Sequence, residues 1–163
     1  MAPHRVAATH RDGGLRVTQP GYIITAVDGG EYRSLLRKLQ KRILPSDDLV
    51  PPWQGYWWLA HLDYTAVGFG CLEMTAGGLN GFLSRAGVLR GHHGHHLQVR
   101  LIRARIAKAR RLGLRAVVSD TRVGNVPSAK SLIRCGLRPY EPKETWRTGT
   151  DTIYWRLRLP TSA

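Results

Sequence analysis

The residue types best suited to chemistry lie together in one stretch, Gly87-Val88-Leu89-Arg90-Gly91-His92-His93-Gly94-His95-His96-Leu97-Gln98. An extended run, Leu79 to Leu89, leads into it, and an amphipathic segment from about Gly94 to Leu112 leads out, stopped by Gly113. Strand, glycine-bearing loop and helix start in that order form an anion site. The first N–H groups of a helix have no intrahelical acceptor, and the helix dipole places partial positive charge behind them. His92, His93, His95 and His96 add ring N–H donors, and positive charge when protonated, so anion binding through them would weaken as pH rises through the imidazole range. The same residues admit a second chemistry. His92 and His96 are four apart, and one helical turn would present both to a metal. No Cys, Asp or Glu lies nearby in sequence to complete a tetrahedral set, and no metal is assigned. A third reading gives these histidines no ligand role.

The remainder of the chain must position this loop. A chain of 163 residues with 42% apolar content suits one domain around a single core. Residues 1–20 read as a flexible tail, since Met1 to Gly14 has charge but no apolar signal region, and residues 21–160 as the folded domain. No run approaches the roughly 20 apolar residues that span a bilayer. Cys71 and Cys135 sit inside apolar runs without paired spacing, the pattern of buried free thiols in a cytoplasmic protein. A formal charge of +14 favours polyanionic company: nucleic acid, an acidic partner surface or a phosphate-rich cofactor.

Periodicity supplies the elements. Tyr22 to Val27 is a β-type run closed by Asp28-Gly29-Gly30; Glu31 to Ile43 carries Tyr32, Leu35, Leu36, Leu39 and Ile43 at helical spacing. Pro45, Pro51 and Pro52 then require an irregular loop. Tyr56 to Leu62, Ala66 to Met74 and Leu79 to Leu89, joined by short turns, predict an antiparallel meander. The helix that follows has a wide apolar arc, with Arg100, Arg103, Arg110 and Arg111 opposite. Arg105 and Lys108 fall within that arc, where their stems would pack while the charges snorkel to water. A short strand, Ala116 to Ser119, precedes a helix from Ser128 to Cys135 stopped by Gly136, and Leu137 to Tyr140 and Thr152 to Leu159 are the last strands. This order makes an α/β sandwich on a mixed sheet.

Two of these segments together resemble one family. Gly87-Val88, His93-Gly94-His95-His96-Leu97-Gln98, Leu101, Ala109 and Gly113 are similar to motif A of the Gcn5-related N-acetyltransferases, the GNAT superfamily, whose signature Arg/Gln-x-x-Gly-x-Gly/Ala opens a long helix. Asn125-x-x-Ser128, Leu132 and Gly136-Leu137 resemble its motif B. The resemblance runs from about Tyr22 to Leu159 and implies a single-domain α/β (α+β) GNAT-like fold, a mixed central sheet of about six to seven strands flanked by helices. Aligned on Val88 and Leu97-Gln98, the motif places His93 on the usual arginine and Gly94 on its glycine. His96 then replaces a glycine that lets backbone approach a diphosphate. A second register through Arg90-Gly91-His92-His93-Gly94-His95 keeps the arginine but starts the helix three residues early.

The resemblance implies acetyl-CoA as cofactor, with its pantetheine arm between two strands that splay apart, here Leu83 to Val88 and Ala116 to Ser119. Gly87, Val88, His93, Gly94, His95, His96, Leu97, Gln98, Asn125 and Ser128 are the expected cofactor contacts; Asn125 serves equally as a helix N-cap. The family's usual acid, a motif B tyrosine, corresponds to Leu132, which leaves Tyr140 and Tyr154 as substitutes. Glu73 and Asp120, ending strands beside the splay, are candidate bases, with His61 a third. Trp53, Trp57, Trp58 and Trp146 lie in or beside segments expected to line the acceptor side, though Trp57 and Trp58 suit a core equally. The expected activity is direct acetyl transfer to an amine of a small molecule or protein, by a monomer or homodimer with no membrane association. The net charge favours an acidic acceptor surface over a polycation. The alternative is a non-catalytic GNAT-fold protein that grips nucleic acid or an acidic protein through its basic helix.

Overall fold

A computed structural model describes residues 21–161; the expected tail over residues 1–20 lies outside the described residues. The chain forms β1 (Tyr22–Val27), α1 (Arg33–Ile43), β2 (Tyr56–Leu62), β3 (Thr65–Met74), β4 (Asn80–Val88), α2 (Leu97–Arg111), β5 (Ala116–Arg122), α3 (Val126–Arg134), β6 (Arg138–Pro139) and β7 (Thr152–Arg158). The sheet order is β1-β2-β3-β4-β5-β7-β6. Every neighbouring pair is antiparallel except β4 and β5. The parallel step follows from the crossover: β4 and β5 are joined through α2, whereas the strands of the meander are joined by tight turns.

Alternation along β2 divides the core. Trp57 packs with Leu36 and Leu39 of α1, together with Leu59, Phe69 and Cys71, on one face. Trp58 packs with Leu101, Ile102 and Ile106 of α2 and Leu132 of α3 on the other. Both indoles are core residues, so neither lines an acceptor pocket. Between α1 and β4 the fit requires glycine: a Cβ on Gly87 would stand 2.3 Å from Cγ2 of Ile43.

Helix α2 begins later than its periodicity predicts. Arg90–His92 form one 3₁₀ turn, Gly94 takes φ 85° and His96 takes φ 58° as the N-cap, so Leu97 is the first helical residue. The turn separates His92 from the helix, and the two histidines do not share a helical face. At the other end Gly113, with φ 70°, lets the N–H of Leu114 reach back to the carbonyl of Ala109. Strand β5 runs three residues beyond its expected end, to Arg122, because β7 pairs with it as far as Arg122↔Thr152. Strand β6 shrinks to two residues, since Pro139 has no N–H to extend a ladder.

One irregularity governs the interior. Gly70 pairs with Ala86 but Leu72 pairs with Leu83, which places one extra residue in β4 and opens a bulge opposite Cys71. The carbonyl of Cys71 accepts instead from Oγ of Ser84 at 3.5 Å and from Nη1 of Arg105 at 3.2 Å. Arg105 therefore does not snorkel. It is 2% exposed, donates through Nε to the carbonyl of Leu101 at 3.1 Å, and fits because Gly70 has no side chain to fill that space. Lys108 is half-buried, its ammonium 4.5 Å from the centre of the Tyr56 ring.

Candidate active site

The β4–β5 pairing covers only Asn80↔Ala116, Gly81↔Val117 and Phe82↔Val118. Beyond it β4 stays with β3 as far as Val88↔Gly68, while β5 stays with β7 to its end. The sheet therefore splits along its centre. Oγ of Ser119 donates to the carbonyl of Leu83 at 3.2 Å where the split begins. The split opens a cleft of about 850 Å³, walled by β4, β5, the first turns of α2 and α3 and the loop before β7.

Glu73, Gln98, Asp120, Asn125, Ser128 and Leu132 all line this cleft. Glu73 is half-buried on β3, opposite Phe82. Asn125 also caps α3, its Oδ1 accepting from the N–H of Ser128 at 3.4 Å. The cap and the cleft-lining position are compatible, because an amide has a second polar atom to offer. Asp120 is heavily engaged: Oδ2 accepts from Nε1 of Trp146 at 2.6 Å and Oδ1 from Nε of Arg147 at 3.0 Å. Of the four tryptophans considered for an aromatic wall, only Trp146 lines the cleft; Trp53 lies 67% exposed beneath the guanidinium of Arg37.

Gly87, Val88, His93, Gly94, His95, His96 and Leu97 do not line the cleft; Gly87 and Val88 end β4, and His93 to His96 lead into α2, whose first two residues are Leu97 and Gln98. The first helical bond is from the N–H of Arg100 to the carbonyl of His96, so the N–H groups of Leu97, Gln98 and Val99 carry no helical acceptor. The histidines are held by separate partners. His92 Nδ1 bonds to the hydroxyl of Tyr22 at 2.8 Å, and the His95 ring packs 4.9 Å from the Tyr22 ring. His93 Nε2 meets the carbonyl of Val88 at 2.8 Å, and Nη1 of Arg134 donates to Nδ1 of His96 at 3.0 Å. Among the described residues no group of three or more His, Cys, Asp or Glu side chains is gathered around a common point for a metal.

Tyr140 and Tyr154 do not line the cleft. The Tyr140 backbone joins that of Tyr154, its ring lies 4.4 Å from the guanidinium of Arg156, and burial pushes its phenol above the usual range. The Tyr154 hydroxyl accepts from the N–H of Arg147 at 3.3 Å. His61 lies on β2, away from the cleft.

Gln98 reaches the cleft as the resemblance implies, whereas Arg105 carries no sequence signal of function. Oε1 of Gln98 is buried with no hydrogen-bond partner, and it faces a cleft that a ligand could enter. Arg105 also lines the cleft, and neither of the two ion pairs among the described residues involves it. Burial lowers its guanidinium to about 10, so it remains charged at neutral pH.

Comparison with known proteins places this geometry in a family. The model of the acetyltransferase (GNAT) family matches residues 26–137. The chain belongs to that family. As a GNAT chain it shares its fold with IAA acetyltransferase from Bacillus cereus ATCC 14579, at TM-score 0.69 and 16% identity over 85% of this chain and 99% of that one. A Bacillus subtilis acetyltransferase solved in complex with CoA matches at TM-score 0.68 and 18% identity, over 85% of this chain and 99% of that one. A GNAT family acetyltransferase from Elizabethkingia anophelis with acetyl-CoA bound matches at TM-score 0.68 and 18% identity, over 85% and 98%. No curated protein matches the chain. Among the described residues no helix is long and apolar enough to cross a membrane.

Proposed function

We propose that this GNAT chain is an acetyl-CoA-dependent N-acetyltransferase that moves an acetyl group directly to the amine of an acceptor. The observation that carries the reading is the split between β4 and β5, with the uncapped N–H groups of α2 beginning where Gln98 enters the cleft. The unpartnered Oε1 of Gln98 and those free N–H groups suit a ligand that brings both donors and anionic acceptors, as CoA does. Similar folds solved with CoA and with acetyl-CoA support the same donor. Gly94, His93, His95 and His96 would shape the diphosphate turn, and Asn125 and Ser128 would meet the cofactor from α3.

Direct transfer suits the lining. Among the described residues no Cys or His lines the cleft to form or activate an acyl-enzyme: Cys71, on β3, is buried in the cluster packed against α1, and Cys135 Sγ donates to the carbonyl of Val99 on α2. Catalysis then rests on positioning plus removal of one proton from the amine. Glu73 is our assignment for that proton. It is half-buried in the cleft and has no ion-pair partner among the described residues, whereas both oxygens of Asp120 are already accepting.

The cleft also bears on the acceptor. Among the described residues five carboxylates (Asp47, Asp48, Glu73, Asp120 and Asp151) line it. A protein of net charge +14 thus concentrates its acids where an ammonium group must arrive and lose a proton. The acceptor end suits a cationic amine, while the basic exterior suits any acidic body that carries it.

Thermal shift and calorimetry with acetyl-CoA and CoA test the donor, with micromolar binding expected for both. An amine panel read by thiol release then tests transfer. Absence of stabilisation by either ligand would overturn the proposal.

A further inference from the structure

Among the described residues, no side chain balances one charge in the cleft. Arg105 is 2% exposed, lines the cleft, and donates to two backbone carbonyls rather than to a carboxylate. The other cleft-lining guanidiniums differ: Arg85 is paired with Asp47, Arg147 with Asp120, and Arg122 is exposed. A buried cation without a counter-charge is costly to keep, and replacing it with an apolar residue of similar volume is often neutral or stabilising. A ligand or reacting group that brought negative charge to it would supply the missing counter-charge.

The lining shows a second gap. Among the described residues no Tyr, His, Cys or Lys walls the cleft, and the α3 position that the family resemblance gives to a tyrosine acid holds Leu132. Carboxylates are too acidic to keep a proton for a thiolate, and Ser and Thr hydroxyls are too weakly acidic to release one to it. The cleft thus offers no proton donor matched to a leaving sulfur. It offers a fixed positive charge.

We propose that Arg105 is a catalytic residue that stabilises the leaving thiolate electrostatically, in place of an acid. The inference rests on the acetyl-CoA reading above. The amine nitrogen forms a bond to the acyl carbon, and the carbon–sulfur bond breaks with its electron pair on sulfur. The arriving ammonium gives one proton to Glu73 before attack, the nitrogen's second proton passes to water as the amide forms, and CoA departs as the thiolate. The proton balance is complete without an acid, provided that positive charge lies beside the sulfur. Rigid placement by two backbone carbonyls, in a setting of low dielectric, makes such a charge effective without reorganisation.

The same field acts on the product, which gives a readout separate from turnover. The thiol of bound CoA should ionise at lower pH than free CoA by about one unit, a roughly tenfold larger thiolate fraction at fixed pH. Ultraviolet thiolate absorbance reads this directly, as the difference between the complexes with CoA and with desulfo-CoA. The protein's own thiols do not interfere, since burial pushes Cys71 up to about 12 and raises Cys135. Wild-type protein alone suffices for the first result: a bound thiol that titrates at or above the free value overturns the proposal. Arg105→Met should return the thiol to the free value and lower kcat about a hundredfold or more while desulfo-CoA still binds; Arg105→Lys should restore part of both. An Arg105→Met protein that binds desulfo-CoA and keeps the lowered thiol also overturns it. Failure of wild-type protein to bind CoA at all would instead sink the acetyltransferase reading.

Discussion

Nε1 of Trp146 donates to Oδ2 of Asp120 at 2.6 Å, tying the loop before β7 to the end of β5 across the mouth of the cleft. The Trp146 ring stands edge-on to Phe82 at 5.9 Å and to Tyr154 at 4.6 Å, so one indole closes a wall that β4 and β5 leave open. Arg147 holds the other oxygen of Asp120 from a position 41% exposed, and water screens that second contact. Asp120→Ala should release the loop at a cost of about 1–2 kcal/mol. The expected outcome is an acceptor KM raised about tenfold, with CoA affinity unchanged and faster proteolysis between residues 141 and 151. A loss of kcat of a hundredfold or more at constant KM would assign Asp120 to proton removal instead.

Glu73 carries the complementary expectation. Its carboxylate lines the cleft without an ion-pair partner among the described residues, and Glu73→Gln keeps its shape while removing its basicity. The kcat/KM should fall about 10²–10⁴-fold with calorimetric CoA affinity unchanged. Raising the pH should recover part of the rate, because more of the acceptor is then already deprotonated.

A packing prediction concerns Gly87. Family resemblance assigns it to the cofactor turn, but its immediate constraint is the 2.3 Å approach that a Cβ would make to Cγ2 of Ile43. Gly87→Ala should destabilise the fold by about 1–3 kcal/mol in urea unfolding. Ile43→Ala removes the opposing atom, and the double variant should be more stable than the sum of the single effects predicts.

Burial at Cys71 sets a chemical prediction. A thiol at about 12, against an unfolded value of 9.0, has roughly a thousandth of its molecules ionised at pH 9, where half would be ionised in the unfolded chain. A soluble alkylating reagent at pH 9 should leave Cys71 unmodified in native protein and label it rapidly in denaturant, as peptide mass spectrometry would show. The sign for stability follows from the same shift. The folded state holds this proton more tightly, so the contribution is complete below pH 9 and is lost as pH rises toward 12.

The element order, the meander and the glycine-bearing turn before α2 are legible in sequence because each has local causes. Alternation marks the meander, glycines stop the helices, and Asn125-Val126-Pro127-Ser128 announces the cap of α3. What the sequence does not show depends on distant partners. Helical periodicity placed Arg105 on the apolar arc correctly, yet only the β4 bulge and the missing side chain of Gly70 provide the buried space and the Cys71 carbonyl that hold it. The engagement of Asp120 likewise depends on a loop some 26 residues onward in the chain. The start of α2 is not legible in the sequence because His96 takes a left-handed conformation, uncommon for a residue with a side chain.

Gln98 and Arg105 stand on one face of α2, seven residues apart, and both line the cleft. At 1.5 Å per residue their separation along the axis is about 10 Å. On the proposed assignments the helix is a ruler, with free N–H groups at its zero mark and a fixed cation at its working end. A donor is measured by whether its arm lets an anionic head and a reacting sulfur register at both marks together. Acetyl thioesters without the long arm, or acetyl phosphate, would satisfy one mark only, and selection among acyl donors would then follow from length as much as from contacts.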